Sequence, residues 1–434
     1  VSGPLATRSE IECGQLDQLR ILLAALVDNP FYQAKTGGER SLLEPASLAE
    51  FSARFPFTTK ADLVADQAAN PPYGSDLSYP LERYTRCHGT SGSTGRPLRW
   101  LDTNESWAWM LGNWEVVHRA AGTTADDKVF FAFSFGPFLG FWTAFESALR
   151  IGCLCLPGGG MNTVARLRSI IDHGATVLCC TPTYALHLAE TAEKEGIDLT
   201  AAKIRTICVA GEPGGSVPAV RERLSRLWNG ARVFDHHGMT EVGPVSFECP
   251  ERPGTLHLIE TSYLCEILDP ETGTPVARGE TGELVLTTLG RLGSPLLRYR
   301  TGDLVRAATA DVCACGRHEL ALEGGILGRA DDMVVVRGVN VFPSAVEDVL
   351  RGFPDVVEYQ VRVRLNGALR EIELTVEPAP NAAPDLAAQI GHALQSAFSL
   401  RVPVQLAAPG SFPRFELKAK RWLREDLAAA PRVA

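Results

Sequence analysis

The chain has 434 residues, 45% hydrophobic and 21% charged, with a net charge of −9. That length exceeds one ordinary core and predicts two or three domains or lobes, and the acidic balance excludes a bulk electrostatic reason to bind nucleic acid or an anionic membrane. No apolar run reaches the ~18 residues of a membrane span, Val1 to Glu12 carries no signal-peptide pattern, and the 11 cysteines, such as Cys153, Cys155, Cys179 and Cys180 in apolar runs, fit a reduced, cytoplasmic protein.

In chain order, residues 15–27 have helical spacing and break at "NPFYQ". "CHGTSGSTGRP" follows at Cys87 to Pro97. Glycines let the backbone approach a phosphate, and hydroxyls donate to it. Arg96 and Pro97 stand where a Walker loop needs Lys and Ser/Thr, and the Gly-x-Gly of a dinucleotide fingerprint is absent. From about 104 to 210, helical and strand patterns alternate with short connections, beginning with a helix that Asn104 could cap. That alternation predicts βαβ units and a largely parallel sheet. Ligands of such sheets sit at the strands' carboxyl ends, here Ser134–Gly140, Gly211–Ser216 and His236–Glu241.

Beyond about 243, short β-like runs alternate with turn signals and predict a β-rich subdomain over about 244–328. In "VVEYQVRVRL", Val357, Tyr359, Val361, Val363 and Leu365 fall on one face, and Glu358, Gln360, Arg362 and Arg364 on the other. Asn366-Gly367 offers a hairpin turn, with helices expected near 343–351 and 385–398. The expected fold is α/β: a large N-terminal domain (1–328) with mixed, mainly parallel sheets plus the β-rich subdomain, and a small mobile α+β C-terminal domain (329–434).

Three further motifs carry chemistry. "HHGMTEVGP" (His236 to Pro244) contains Glu241, a carboxylate suited to a magnesium ion that bridges phosphates. In "YRTGDL", Asp303 at a strand-to-turn junction can accept both hydroxyls of a ribose. "GRADDMVVVRGVNVFPSAVE" combines a polar joint, a strand, a glycine turn and a helix opened by Pro343. Taken together with the loop at 90–97, their order resembles the adenylate-forming superfamily of acyl-CoA synthetases, adenylation domains and luciferases, most of all its phenylacetate-CoA ligase branch. His88 and "GEP" (Gly211 to Pro213) fit as well. "FPRFELKAKRW" (Phe412 to Trp422) resembles the segment that carries the branch's catalytic lysine, placed at Lys418 with Lys420 as the other candidate.

The resemblance implies a two-step reaction: a carboxylate attacks the α-phosphate of ATP to give an acyl-adenylate and pyrophosphate, then a thiol displaces AMP. Thr90, Ser91, Gly92, Ser93, Thr94 and Gly95 would hold the β- and γ-phosphates. Lys418, Thr240 and Glu241 would be catalytic, with Glu241 on magnesium. Gly211, Glu212 and Pro213, with His237, Gly238 and Met239, would line the adenine, and Asp303 with Arg329 would hold the ribose. Asp331 would be the hinge, and Arg337, Gly338 and Val339 would face the thiol tunnel. Phe135, Gly136, Phe141 and Gly211, near Phe138 and Trp142, would wall a pocket for a benzoate- or phenylacetate-type acid. Glu212 is left facing either the adenine edge or a polar substituent of the acid. CoA is the expected co-substrate. A carrier protein in trans, another acceptor, a non-carboxylate cofactor as the group adenylated, and a non-catalytic binding role stay as alternatives, and a homodimer is left open. The departures are Arg96 for the usual lysine, His237 for the usual tyrosine and Leu417 for the usual glycine. Cys249, His257, Cys313 and Cys315 make a closed tetrahedral zinc set, which members of the branch resemble, with His318 and Cys265 as exchange candidates.

Overall fold

The computed structural model describes residues 5–90, 97–330, 332–337, 339–366, 369–415 and 419–425. Helices α1 (Arg8–Ala25), α2 (Pro30–Thr36), α3 (Leu48–Arg54) and α4 (Lys60–Ala69) come first. α1 begins seven residues earlier than its apolar spacing predicts. A capping box joins Thr7 and Glu10, and Arg8 grips Glu260 with both terminal nitrogens (2.7 and 3.0 Å).

Strands β1 (Tyr84–Gly89) and β2 (Arg99–Thr103) form an antiparallel hairpin that leads into α5 (Asn104–Ala120). Thr103, not Asn104, caps α5 by accepting from the Ser106 amide. The Asn104 side chain instead accepts from Thr85 and Arg86 on the hairpin. Next come β3 (Lys128–Phe131), α6 (Leu139–Ile151), β4 (Leu154–Pro157), α7 (Thr163–Asp172), β5 (Val177–Cys180), α8 (Pro182–Lys194), β6 (Thr206–Val209), α9 (Pro218–Leu227) and β7 (Arg232–Asp235). These strands make the expected parallel sheet, in the order β4-β3-β5-β6-β7. β5 and β6 are buried at every residue, as covered parallel strands require. The chain reverses its direction of winding between β3 and β5, which opens a crevice at their carboxyl ends.

The β-rich part holds β8 (Gly238–Met239), β9 (Gly243–Pro244), β10 (Ser246–Glu248), β11 (Thr255–Leu258), β12 (Tyr263–Leu268), β13 (Thr281–Thr288), β14 (Tyr299–Arg306), β15 (Ala321–Glu323) and β16 (Gly328–Arg329). Its larger sheets are antiparallel, β10-β11-β15 and β12-β13-β14-β16. The C-terminal part holds β17 (Val334–Val336), β18 (Val339–Val341), α10 (Pro343–Arg351), β19 (Val356–Asn366), β20 (Leu369–Pro378), α11 (Leu386–Phe398), β21 (Val404–Leu406) and β22 (Trp422–Arg424), around a core of its own.

Two features of β19 differ from its alternation. A register shift between Val356 and Glu358 puts Val356, not Val357, in the core. Glu358 is 4% exposed rather than on a solvated face, because Arg421 reaches it at 2.6 Å. At the far end, Leu365 is exposed. Asn366 pairs with Leu369 across the two strands, and Gly367 of the expected Asn366-Gly367 turn lies outside the described residues.

The C-terminal part sits on α8 and α9. Arg223 donates to the Val356 carbonyl (2.9 Å), and Asp348 accepts from the Ala219 amide (3.3 Å). Arg421 donates to Thr183 Oγ1 (3.3 Å). Within the C-terminal part, Glu347 and Glu358 hold Arg421. Burial pushes the Glu347 carboxyl up, but Arg421 and Arg351 outweigh it and leave it below its ordinary value.

Candidate active site

The β1–β2 hairpin carries the predicted phosphate loop at its tip. Thr90 closes the base: its amide donates to the Leu98 carbonyl and its hydroxyl accepts from the Leu98 amide, both at 3.0 Å. Ser91, Gly92, Ser93, Thr94, Gly95 and Arg96 lie outside the described residues. His88 stacks on Trp107 at 5.1 Å, and burial lowers its pKa. The Gly89 amide donates to the Pro137 carbonyl, which ties the hairpin to the loop after β3.

A buried ion pair fixes this hairpin to the predicted metal-binding turn. Arg291 meets Asp102 of β2 with two nitrogens (2.8 and 2.7 Å), and both side chains are fully buried. Its third nitrogen donates to the Thr240 carbonyl (2.9 Å) and the Glu241 carbonyl (2.7 Å). Sequence reasoning missed both residues. The available signal was a lone arginine between glycines in "LGRLGS". Lys60 was missed too: it stands at the first turn of α4, and its Nζ lies 3.4 Å from Glu241 Oε1. Glu241 itself is 5% exposed.

Asp303 is 4% exposed. Its Oδ1 faces Arg329 at 3.3 Å and its Oδ2 lies 2.9 Å from His237 Nε2. Neither Oδ2 nor His237 Nδ1 has a well-aligned hydrogen-bond partner. A buried carboxylate oxygen without a donor is an acceptor suited to a hydroxyl. Gly238 is required sterically, since a Cβ there would meet the Gly243 carbonyl at 2.8 Å. Met239 pairs with Gly243 in the same turn. Gly302 adopts φ +76°, and a Cβ there would press on Arg329 at 2.9 Å.

Gly211 (φ +94°) and Pro213 follow the end of β6, as predicted. Glu212 follows neither of the expectations for it. Its Oε1 accepts from the Thr183 amide at the start of α8 (2.8 Å), and its Oε2 accepts from the Ala419 amide of the C-terminal part (3.0 Å).

After β3, aromatic side chains gather at the mouth of the crevice. Phe135 holds φ +62°, unusual for a residue with a Cβ, and Gly136 continues at φ +61°. Phe135 packs against Trp142 (4.9 Å) and Phe145 (5.5 Å). Phe133, which was not singled out, stacks on Phe141 at 4.2 Å. Trp142 Nε1 donates to the Gly136 carbonyl (2.9 Å) and stiffens the turn. Phe131, Phe133 and Phe135 also belong to the main core, so part of this set is packing.

In the β-rich part, Cys249, His257, Cys313 and Cys315 bring their ligand atoms within 4.8 Å of one another. Cys249 and Cys313 sulfurs are 3.7 Å apart, and the Cys315 sulfur is 3.3 Å from His257 Nε2. A tetrahedron with ~2.3 Å metal–sulfur and ~2.0 Å metal–nitrogen bonds has edges of roughly 3.5–3.8 Å, so the spacing fits zinc. Cys265 and His318, the exchange candidates, stand outside the cluster.

In the C-terminal part, Lys418 and Leu417, the expected hinge Asp331 and the expected tunnel residue Gly338 lie outside the described residues. Lys420 is exposed. Arg337 (φ +49°) pairs with Glu371, and Val339 opens β18.

Comparison with known proteins agrees with this geometry. Residues 89–290 match the AMP-binding enzyme family, and residues 338–425 match the AMP-binding enzyme C-terminal domain. The chain is 36% identical to the phenylacetate-coenzyme A ligase of Thermus thermophilus over 384 residues, covering 85% of this chain and 82% of that one. It is 32% identical to the Escherichia coli phenylacetate-coenzyme A ligase, covering 96% of each. Among solved structures, 2-hydroxyisobutyryl-CoA ligase in its postadenylation state superposes with a TM-score of 0.91 at 28% identity, over 98% of this chain and 91% of that one. The same ligase in its thioesterification state gives 0.72 at 29% identity, over 98% and 92%.

Proposed function

The chain belongs to the AMP-binding enzyme family as an AMP-forming acid–CoA ligase of the phenylacetate-CoA ligase kind, and from that premise we propose that it activates a small aryl carboxylic acid with ATP and passes the acyl group to CoA. One observation supports this most directly. A line of contacts runs from the phosphate-loop hairpin through Asp102 and Arg291 to Thr240 and Glu241, and the same turn presents His237 to Asp303. Groups suited to phosphates, a metal and a ribose are therefore held in one rigid arrangement.

In this reading Asp303 grips the ribose hydroxyls, with Arg329 at Oδ1 and His237 beside Oδ2 holding it in place. Thr90 and the hydroxyls at 91, 93 and 94 take the β- and γ-phosphates. Glu241 would hold magnesium directly or through water, and that ion would supply positive charge beside the phosphates. Lys418 supplies fixed positive charge at the α-phosphate. The acid is already ionised at neutral pH and needs no general base. Its ring lies among Phe135, Phe138, Phe141 and Trp142, whose flat faces suit an aryl group better than a long chain. The C-terminal part then turns about Asp331 and brings Arg337, Gly338 and Val339 to the incoming thiol. Cys249, His257, Cys313 and Cys315 hold a structural zinc ion, with no ligand position left for water.

An acid-dependent ATP–pyrophosphate exchange assay over a panel of benzoates and phenylacetates tests the reading. Exchange with aryl acids is expected, and silence across the panel refutes it. Titration of thiol acceptors with AMP release as readout separates CoA from a carrier protein.

A further inference from the structure

The Glu212 carboxylate is a bridge between the two parts of the chain. Oε1 is held by the Thr183 amide, in the buried first turn of α8, where the helix dipole favours an anion. Oε2 reaches across to the Ala419 amide, one peptide beyond the predicted catalytic lysine. Two residues further on, Arg421 donates to Thr183 Oγ1, and Glu358 holds its guanidinium from behind at 2.6 and 3.1 Å. The segment 419–421 is therefore fastened to the start of α8 at both ends. Both contacts cross the boundary between the parts, so both break when the C-terminal part turns away.

Resting on the ligase reading above, we infer that Glu212 is a positioning residue for the adenylation step: its carboxylate bridges the Thr183 and Ala419 amides and so selects the domain arrangement that presents Lys418 to the α-phosphate. Both oxygens are needed. An amide offers one acceptor oxygen, and its other arm is a donor that would face a backbone N–H. Glutamine at 212 therefore keeps shape and loses one of the two bonds. Aspartate keeps both acceptors and is one methylene too short to span the gap. Because the bridge exists in one arrangement alone, its loss changes the balance between arrangements and spares the chemistry of the other.

The test compares the wild type, Glu212→Gln and Glu212→Asp by three readouts. With phenylacetate as probe acid, ATP–pyrophosphate exchange should fall about 10- to 100-fold in both variants, the range expected when a hydrogen bond to a charged acceptor is lost, with the KM for ATP within about threefold. Thioester formation from supplied phenylacetyl-adenylate and CoA should stay within about twofold. Hydrogen exchange in peptides covering 419–424 should accelerate about tenfold or more, with the β3–β7 sheet unchanged. Equal loss of both half-reactions, unchanged protection at 419–424, or faster exchange throughout the N-terminal part would each overturn the inference. If the wild type itself shows no exchange with any acid, the ligase reading fails, and the amide protection still decides whether Glu212 fastens the segment.

Discussion

Replacing Arg291 with methionine isolates what the buried pair does. The substitution strands the Asp102 carboxylate at zero exposure and removes the donor from the Thr240 and Glu241 carbonyls. Breaking a buried pair from one side costs about 3–5 kcal/mol, a large part of a typical total of 5–15 kcal/mol. The second variant, Asp102→Leu with Arg291→Met, removes the stranded charge. Apolar replacement of a whole buried pair is often nearly neutral, so the double variant should recover roughly 2 kcal/mol or more of the loss. Adenylation should not recover with it, because the carbonyls that position Glu241 still lack their donor. Urea unfolding read by tryptophan fluorescence gives the stabilities, and pyrophosphate exchange gives the activity, expected at least about tenfold down in both variants. The reasoning is refuted if Arg291→Met costs under about 1 kcal/mol, or if the double variant regains exchange in step with stability.

Three further outcomes are expected. Elemental analysis of gently purified protein should find one zinc per chain, and Cys313→Ser should abolish it and lower the unfolding midpoint of the β-rich part. Asp303→Asn should raise the KM for ATP about tenfold or more while leaving far-ultraviolet circular dichroism unchanged, since an amide loses the paired acceptor that a ribose needs; an unchanged KM would remove Asp303 from the nucleotide site. Acidification should remove the stability held by two buried imidazoles: burial lowers His118 to about 4 and His236 to about 3 from 6.5, so between pH 6.5 and 4 each is a proton that the unfolded chain binds and the native chain refuses, about 1.4 kcal/mol per pH unit apiece. Burial raises Asp235 to about 7 and holds Asp76 above its ordinary value, which works the other way as pH falls, so the His118 contribution is read by difference. His118→Gln should flatten that slope in urea midpoints measured between pH 7 and 5.

The parallel sheet was legible because its strands are short apolar runs between amphipathic helices, a signal that lies within each segment. The turn at 237–241 and the Gly302-Asp303 junction were legible because their chemistry is written in adjacent letters, and the Cys/His set because few residue types bind zinc, although its two halves stand 64 residues apart. Arg291 and Asp102 were not, since they stand 189 residues apart in sequence and neither has a local pattern. Glu358 fell on the polar face by alternation and is buried all the same, because its partner Arg421 arrives from just before the last strand. Glu212 failed for the same reason: its carboxylate answers to amides 29 and 207 residues away. Asn104 lost its expected role to a neighbour equally fit to cap, with the hairpin's Thr85 and Arg86 deciding between them.

The reversal of winding between β3 and β5 divides labour in a way that bears on how such enzymes diversify. In the proposed reading the aromatic turn that would meet the acid follows β3, whereas the residues proposed for the ribose, metal and adenine follow β6 and β7 or stand on β14. On that reading, substitutions in 133–142 that keep the Pro137 carbonyl's bond to the Gly89 amide can remodel which acid is accepted while the proposed nucleotide contacts stay in place. Selection can alter one ledger of recognition while the other stays closed.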